Sequence, residues 1–377
     1  MRNSDKFLWG AATSAYQVEG GNKNDWSETV FDAGQATGHY YRFEEDFGLA
    51  KSLGHNAQRI SIEWSRIEPE KGKFNQEELE HYYKVISAIR EKGMEPMVTL
   101  WHFTNPIWFA RLGGFTNKKA EKYFSRYVNF VVGNLKNSVK FWITINEPMI
   151  YAANAYYKGI WPTQEFSPIF SYFKAINNLI KCHRTAYKII HRHNHSAQVG
   201  IAKNNIHFGD HGYPWRLLKK IAEYWWNSYF LNKISRQQDF IGLNYYFHKH
   251  IGEIFFGKKE PHPVSDIGWG IYPKGLYHIL KDLKNYKKPI YITENGLADA
   301  KDQKREQFIK DHVYWMKKAM NHGVDVRGYF HWSLIDNFEW DKGFGPRFGL
   351  IEVDYRTMER KIRPSAYAYK NIIKDNS

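Results

Sequence analysis

The chain has 377 residues, 43% hydrophobic and 17% aromatic, enough for a large core; length forces no split, because a closed α/β barrel uses this much chain for one core. Lys and Arg number 54 against 39 Asp and Glu, a formal charge of +15, yet no run of five or more basic residues and no nucleic-acid-binding module occurs, which argues against specific nucleic-acid binding. Cys182 is the only cysteine, excluding an intrachain disulfide and a cysteine-based zinc site. The start of the chain has no signal-peptide pattern and no segment is apolar for as long as a membrane span needs, so a cytoplasmic protein without a membrane partner is expected.

In chain order, short apolar runs bounded by breakers predict strands at Phe7–Thr13, Ala57–Ile62, Pro96–Leu100, Phe141–Asn146, Gln198–Lys203, Phe240–Tyr246, Pro289–Thr293 and Val326–Ser333. Between most of them apolar residues recur at helical spacing. Examples are Glu77–Glu91, with Leu79, Tyr82, Tyr83, Ile86 and Ile89, and Lys118–Leu135, with Tyr123, Phe124, Tyr127, Val128, Phe130 and Val131. Gly54, Gly93 and Gly323 stand where such helices would stop. His191, His193 and His195 alternate at the end of the helix before the fifth strand; alternate positions do not share a helix face, so a helix terminus is expected rather than a metal site. Strands alternating with helices in this number predict a (β/α)8 TIM barrel, with residues 1–377 as one domain; a doubly wound sheet is the alternative, but its Gly-x-Gly-x-x-Gly turn is missing.

Such barrels build their sites at the C-terminal ends of the strands. There the sequence places Gln17 and Glu19 after the first strand, Arg59 on the second, Trp101 and His102 after the third, and Asn146 and Glu147 at the fourth. Asn244, Tyr245 and Tyr246 follow at the sixth, Glu294 at the seventh, and Trp332, Glu339 and Trp340 at the eighth. Glu147, in Trp-Ile-Thr-Ile-Asn-Glu-Pro (142–148), and Glu294, in Tyr-Ile-Thr-Glu-Asn-Gly (291–296), each close a β-branched or aromatic run and are followed at once by a strand breaker. Two carboxyl groups facing one pocket are the minimal equipment for glycosidic bond cleavage, and the surrounding amides, His and indoles suit a ligand whose hydroxyls all need partners.

These residues also carry a resemblance. From Phe7-Leu8-Trp9-Gly10-Ala11-Ala12-Thr13 and Tyr16-Gln17-Val18-Glu19-Gly20, through Arg59-Ile60-Ser61-Ile62-Glu63-Trp64-Ser65-Arg66, Asn146-Glu147-Pro148, Gly242-Leu243-Asn244-Tyr245-Tyr246 and Thr293-Glu294-Asn295-Gly296, to Trp332-Ser333-Leu334-Ile335-Asp336-Asn337-Phe338-Glu339-Trp340, the chain resembles the glycoside hydrolase family 1 β-glycosidases. The resemblance implies a retaining exo-β-glycosidase acting on the terminal β-D-glucosyl residue of small glycosides, with Glu147 as general acid/base and Glu294 as nucleophile. It implies a sugar-binding shell of Gln17, His102, Asn146, Tyr246, Trp332, Glu339 and Trp340, supported by Arg59 and Asn244. Arg59 and the Tyr246 hydroxyl would favour the ionised form of Glu294. No cofactor and no metal is implied, and the oligomeric state is left open. A β-galactosidase, β-fucosidase or transglycosylase of the same mechanism, and a sugar-binding protein without turnover, are the alternatives. Glu339 would repel a 6-phosphate, whereas Lys342 and Arg347 nearby would attract one. The chain is short for the family, with only about 35 residues between the fifth and sixth strands and a brief stretch from the sixth to Gly268-Trp269, so a more open cleft is expected. Phe103 and Met149 stand where the family usually has Trp, which predicts a lost hydrogen bond on the leaving-group side.

Overall fold

Eight parallel strands close on themselves in the computed structural model, which describes residues 6–162, 168–209, 215–251 and 263–376. They are β1 (Leu8–Ala12), β2 (Ala57–Ser61), β3 (Glu95–Thr99), β4 (Phe141–Asn146), β5 (Gln198–Asn204), β6 (Ile241–Asn244), β7 (Ile290–Asn295) and β8 (Val326–Trp332). Each pairs with the next in sequence and β8 closes onto β1, with Gly10 opposite both Phe330 and Ala57. A Cβ on Gly10 would stand 2.2 Å from the Ala57 carbonyl oxygen, so only glycine lets the first two strands approach. The predicted TIM barrel is therefore observed, with strand ends displaced by one or two residues. Two short pairs escaped the sequence reading, His207–Gly209 with His248–His250 and Ile351–Val353 with Arg360–Ile362, because three residues are too few to show a period.

The helices follow their apolar stripes. Gln76–Glu91 is capped by Asn75, whose Oδ1 accepts from the amides of Glu77 and Glu78, and it buries Leu79, Tyr82, Val85, Ile86 and Ile89. Tyr83, counted in that stripe from the sequence, is half exposed; Tyr82 has already taken the inward position and the next residue is rotated by a quarter turn or more. In Ala120–Leu135 the stripe is Tyr123, Phe124, Tyr127, Val128, Val131 and Val132, while Phe130 leaves it to stack on Phe74, ring centroids 4.0 Å apart. The helix before β5 runs Pro168–His193, so the histidine run does mark a helix terminus; His191 bonds Asp239 at 2.8 Å and His193 bonds Asn129 at 3.0 Å. Among the described residues no helix is long and apolar enough to cross a membrane.

The segment after β8 carries Glu339 and Trp340, and it is tied down by a buried ion pair. Asp336, fully buried, accepts from Arg363 at 2.8 and 3.0 Å, from Arg347 at 3.1 Å and from the Gly349 amide at 3.0 Å. Asp336→Ala leaves the 3% exposed Arg363 without its carboxylate, and the loss of one partner of a buried pair is expected to cost about 3–5 kcal/mol. A lowered midpoint in urea with an unchanged slope is the expected result; an unchanged midpoint contradicts it.

Candidate active site

Arg59 organises the mouth of the barrel. It stands on β2 with its side chain in the barrel interior, 1% exposed. Its Nε donates to Thr99 Oγ1 at 3.1 Å, Nη1 to Glu294 Oε1 at 2.5 Å, and Nη2 to Asn146 Oδ1 at 2.8 Å. One planar guanidinium thus links β2, β3, β4 and β7, a role the single point charge of lysine could not fill. Asn244 on β6 repeats the pattern, donating to Glu147 Oε1 at 2.8 Å and to Asn146 Oδ1 at 3.2 Å while its own carbonyl accepts from Thr293 Oγ1 at 2.7 Å. Both supporting residues sit behind the wall of the cavity rather than in it.

The two glutamates are held differently. Glu294 accepts from Arg59 on one oxygen and from the Tyr246 hydroxyl at 2.6 Å on the other. Glu147, just past β4, has φ +41°, a left-handed conformation uncommon outside glycine, and Pro148 begins the next helix. Its Oε1 accepts from the side-chain amides of Asn244 and, at 3.4 Å, Asn204, and among the described residues no cation is bonded to it. Burial pushes the Glu147 carboxyl up to about 8, and the charge of Glu294 adds to the rise. Burial raises Glu294 as well, with the Arg59 guanidinium first and the Tyr246 hydroxyl next pulling it back. The sequence reading counted that guanidinium but not the desolvation it must offset. Of the two groups, the one bonded to Arg59 loses its proton first.

Both carboxyls face a cavity of about 290 Å³. Gln17, His102, Asn146, Tyr246, Trp332, Glu339 and Trp340 all border it, so every residue assigned to the sugar shell is brought there. Gln17 donates from Nε2 to the Phe338 carbonyl at 2.7 Å and to Glu339 Oε2 at 3.3 Å, fixing the loop after β8 to the one after β1. Burial also lifts Glu339 to about 8, with Glu294 and Glu147 adding to it. His102 is held well below the ordinary histidine range by burial and by Arg59, so it is neutral; Nε2 meets the Asn146 amide at 3.1 Å. Its Nδ1 is buried without a protein partner among the described residues. The Trp332 ring lies nearly parallel to His102, centroids 5.8 Å apart. A Cβ on Gly296 would stand 1.8 Å from the Trp332 carbonyl oxygen, so glycine is required after Glu294-Asn295 for Trp332 to reach this position.

Some expectations are corrected. Glu19 does not join the site: it is paired with Arg66 at 2.9 Å and Tyr82 at 2.8 Å, because the turn after β1 points Gln17 inward and Glu19 back toward the helices. Trp101 is buried in the core and donates to Asn105, and Tyr245 donates to the Tyr272 carbonyl, so neither borders the cavity. Met149 is fully buried and absent from the wall, so no leaving-group hydrogen bond is lost there; Phe103 does border the cavity, packed between Trp161 and Trp340. Asn204 was missed, although the strand-end rule applied to β5 would have found it. Trp161, Trp269 and Phe348 line the wall from loops that carry no periodic signal. Of the shortened loops, residues 210–214 and 252–262 lie outside the described residues.

The model of Glycosyl hydrolase family 1 matches residues 2–209 and 212–377. Beta-glucosidase A of Thermotoga maritima is 33% identical over 437 aligned positions that take in 98% of this chain and 97% of that protein, so this chain's missing length falls as gaps inside the match. Among solved structures, a beta-glycosidase from Pyrococcus horikoshii superposes with a TM-score of 0.91 at 39% identity, covering 98% of this chain and 94% of that one. The Thermotoga maritima beta-glucosidase in complex with glucoimidazole gives 0.92 at 31% identity, covering 99% of both. With the same family model running through barrel, loops and both glutamate motifs, the chain belongs to glycosyl hydrolase family 1 and is a glycoside hydrolase.

Proposed function

We propose that the chain is a retaining exo-β-glycosidase that removes the terminal non-reducing β-D-glucosyl residue of small glycosides by double displacement, working in the cytoplasm as one catalytic domain spanning residues 1–377. The observation that carries this reading is the asymmetric pair: Glu294 bonded to Arg59 and Tyr246, Glu147 bonded to the amides of Asn244 and Asn204, both facing one cavity. In the first step a Glu294 oxygen bonds to the anomeric carbon as the bond from that carbon to the leaving oxygen breaks, and Glu147 gives its proton to that oxygen. In the second, Glu147 takes a proton from water, which attacks the same carbon and releases Glu294. While Glu294 is ionised its charge keeps the proton on Glu147; once it is esterified that charge is gone and Glu147 can act as base.

Gln17, Glu339, Asn146 and His102 offer donors and acceptors for the hydroxyls of one hexose, with Trp332 as an apolar face beneath it. The Asn146 carbonyl is already bonded to Arg59, which fixes its amide for a hydroxyl contact that can strengthen in the transition state. An unphosphorylated sugar fits better than a 6-phosphosugar for a reason beyond Glu339, whose burial weakens the repulsion argument. Lys342 is paired with Asp341, Arg347 shares Asp336 with Arg363 outside the cavity, and Lys158, which also borders the cavity, donates to Asn154, so each of these cations is already engaged. Galactosides and fucosides differ by few of these contacts and are expected as secondary substrates. A sugar-binding protein without turnover would have no need of two carboxyls held at different proton affinities.

The assignment sets a pH dependence. The acid must be protonated and the nucleophile ionised in the free enzyme, so kcat/KM for a poor leaving group is expected to fall as pH rises through about 8, where Glu147 loses its proton, and to fall again in acid, where Glu294 takes one up. Hydrolysis of alkyl β-glucosides across pH tests this; a plateau extending well into the alkaline range contradicts it.

A further inference from the structure

Lys203 is the penultimate residue of β5 and is 1% exposed. Its side chain folds back over the strand end, where Nζ donates to the main-chain oxygen of Asn204 at 2.5 Å and stands 5.7 Å from the centre of the Trp226 ring. An ammonium buried on one hydrogen bond and one aromatic face costs stability that a methionine of the same length would not, so space filling does not account for it. The strand end it grips is the one that carries Asn204, whose amide reaches Glu147 Oε1 at 3.4 Å and whose carbonyl accepts from Trp226 Nε1 at 3.4 Å. Glu147 is the charged group whose field reaches Lys203.

We propose that Lys203 is a positioning residue for Glu147: one layer behind the cavity wall, its ammonium favours the ionised form of Glu147 and thereby sets the pH at which the acid loses its proton. The inference rests on the acid/base reading of Glu147. Burial pushes the Lys203 ammonium down to about 7 while Glu147 pulls it back up, and the ammonium in turn pulls Glu147 down, so each stabilises the charged form of the other. On its other sides Glu147 meets Glu294, which holds its proton on, and the amides of Asn244 and Asn204, which favour release. Arg59 and Tyr246 act on Glu294, and the buried Glu339 feels both glutamates.

The test is the alkaline limb of kcat/KM for an alkyl β-glucoside in Lys203→Met and Lys203→Arg. Removing the charge is expected to move the limb to higher pH by about half a unit or more, and a charge that cannot be lost is expected to move it below wild type. A residue that only supports the fold would lower activity without ordering the limbs Arg, Lys, Met. Melting by circular dichroism checks that each variant is folded, and Lys203→Gln serves as a second neutral variant. Glu147→Gln assayed on an activated aryl glucoside separates the two readings. A limb that survives there overturns the role of Glu147 and the proposal with it; a limb that belongs to Glu147 but does not move in the neutral variants overturns the proposal alone.

Discussion

Glu294→Ala is expected to lower kcat for aryl β-glucosides by on the order of 10⁴-fold or more, since the group that would form the covalent intermediate is gone and the rest of the site acts as a unit with it. The truncation opens space on the face where the carboxylate stood, beside Arg59 and Tyr246. A small anion is expected to enter there, drawn by the guanidinium, and to attack the anomeric carbon directly. Added azide should therefore restore turnover and yield the α-glycosyl azide, one inversion instead of two, which product analysis by nuclear magnetic resonance distinguishes. Wild-type activity in this variant, or a β-azide product, would remove Glu294 from the nucleophile's role.

Glu147→Ala should fail differently. With Glu294 and Arg59 untouched, the first step still proceeds for a leaving group that needs no proton, so dinitrophenyl glucoside should form the glycosyl-enzyme rapidly and then stall. Alkyl glucosides should lose about 10²–10⁴-fold, the usual contribution of a positioned acid. Azide should rescue the second step and give the β-glycosyl azide, because it enters on the side that Glu147 vacated. The two variants thus make opposite anomers from one substrate. If both gave the same anomer, the two carboxyls could not lie on opposite faces of the sugar.

The barrel was legible because its signals are local. A β-branched run ended by Pro148 or by Asn295-Gly296, and a helix stripe ended by Gly93, depend on a few adjacent residues, and those were enough to locate strands within one or two positions. Most of the site was legible for a related reason: strand ends in such a barrel converge, so listing what stands there lists the mouth. Glu19 misled this rule because the helical turn that holds Gln17 ends at Val18 and turns Glu19 away from the cavity, and Met149 because the residue after Pro148 faces down into the core.

The sequence alone determined the alternation of strand and helix, the two glutamates at strand ends, and the mixture of amides, indoles and histidine around them. These follow from period, breakers and composition, which are properties of neighbouring residues. Only the tertiary structure decided how far burial raises both carboxyls against the guanidinium and hydroxyl that the resemblance put beside Glu294. That outcome depends on how deeply both are buried and on a guanidinium 235 residues from Glu294 in the chain. Proton affinity is set by charges and desolvation through space, and no spacing along the chain encodes it.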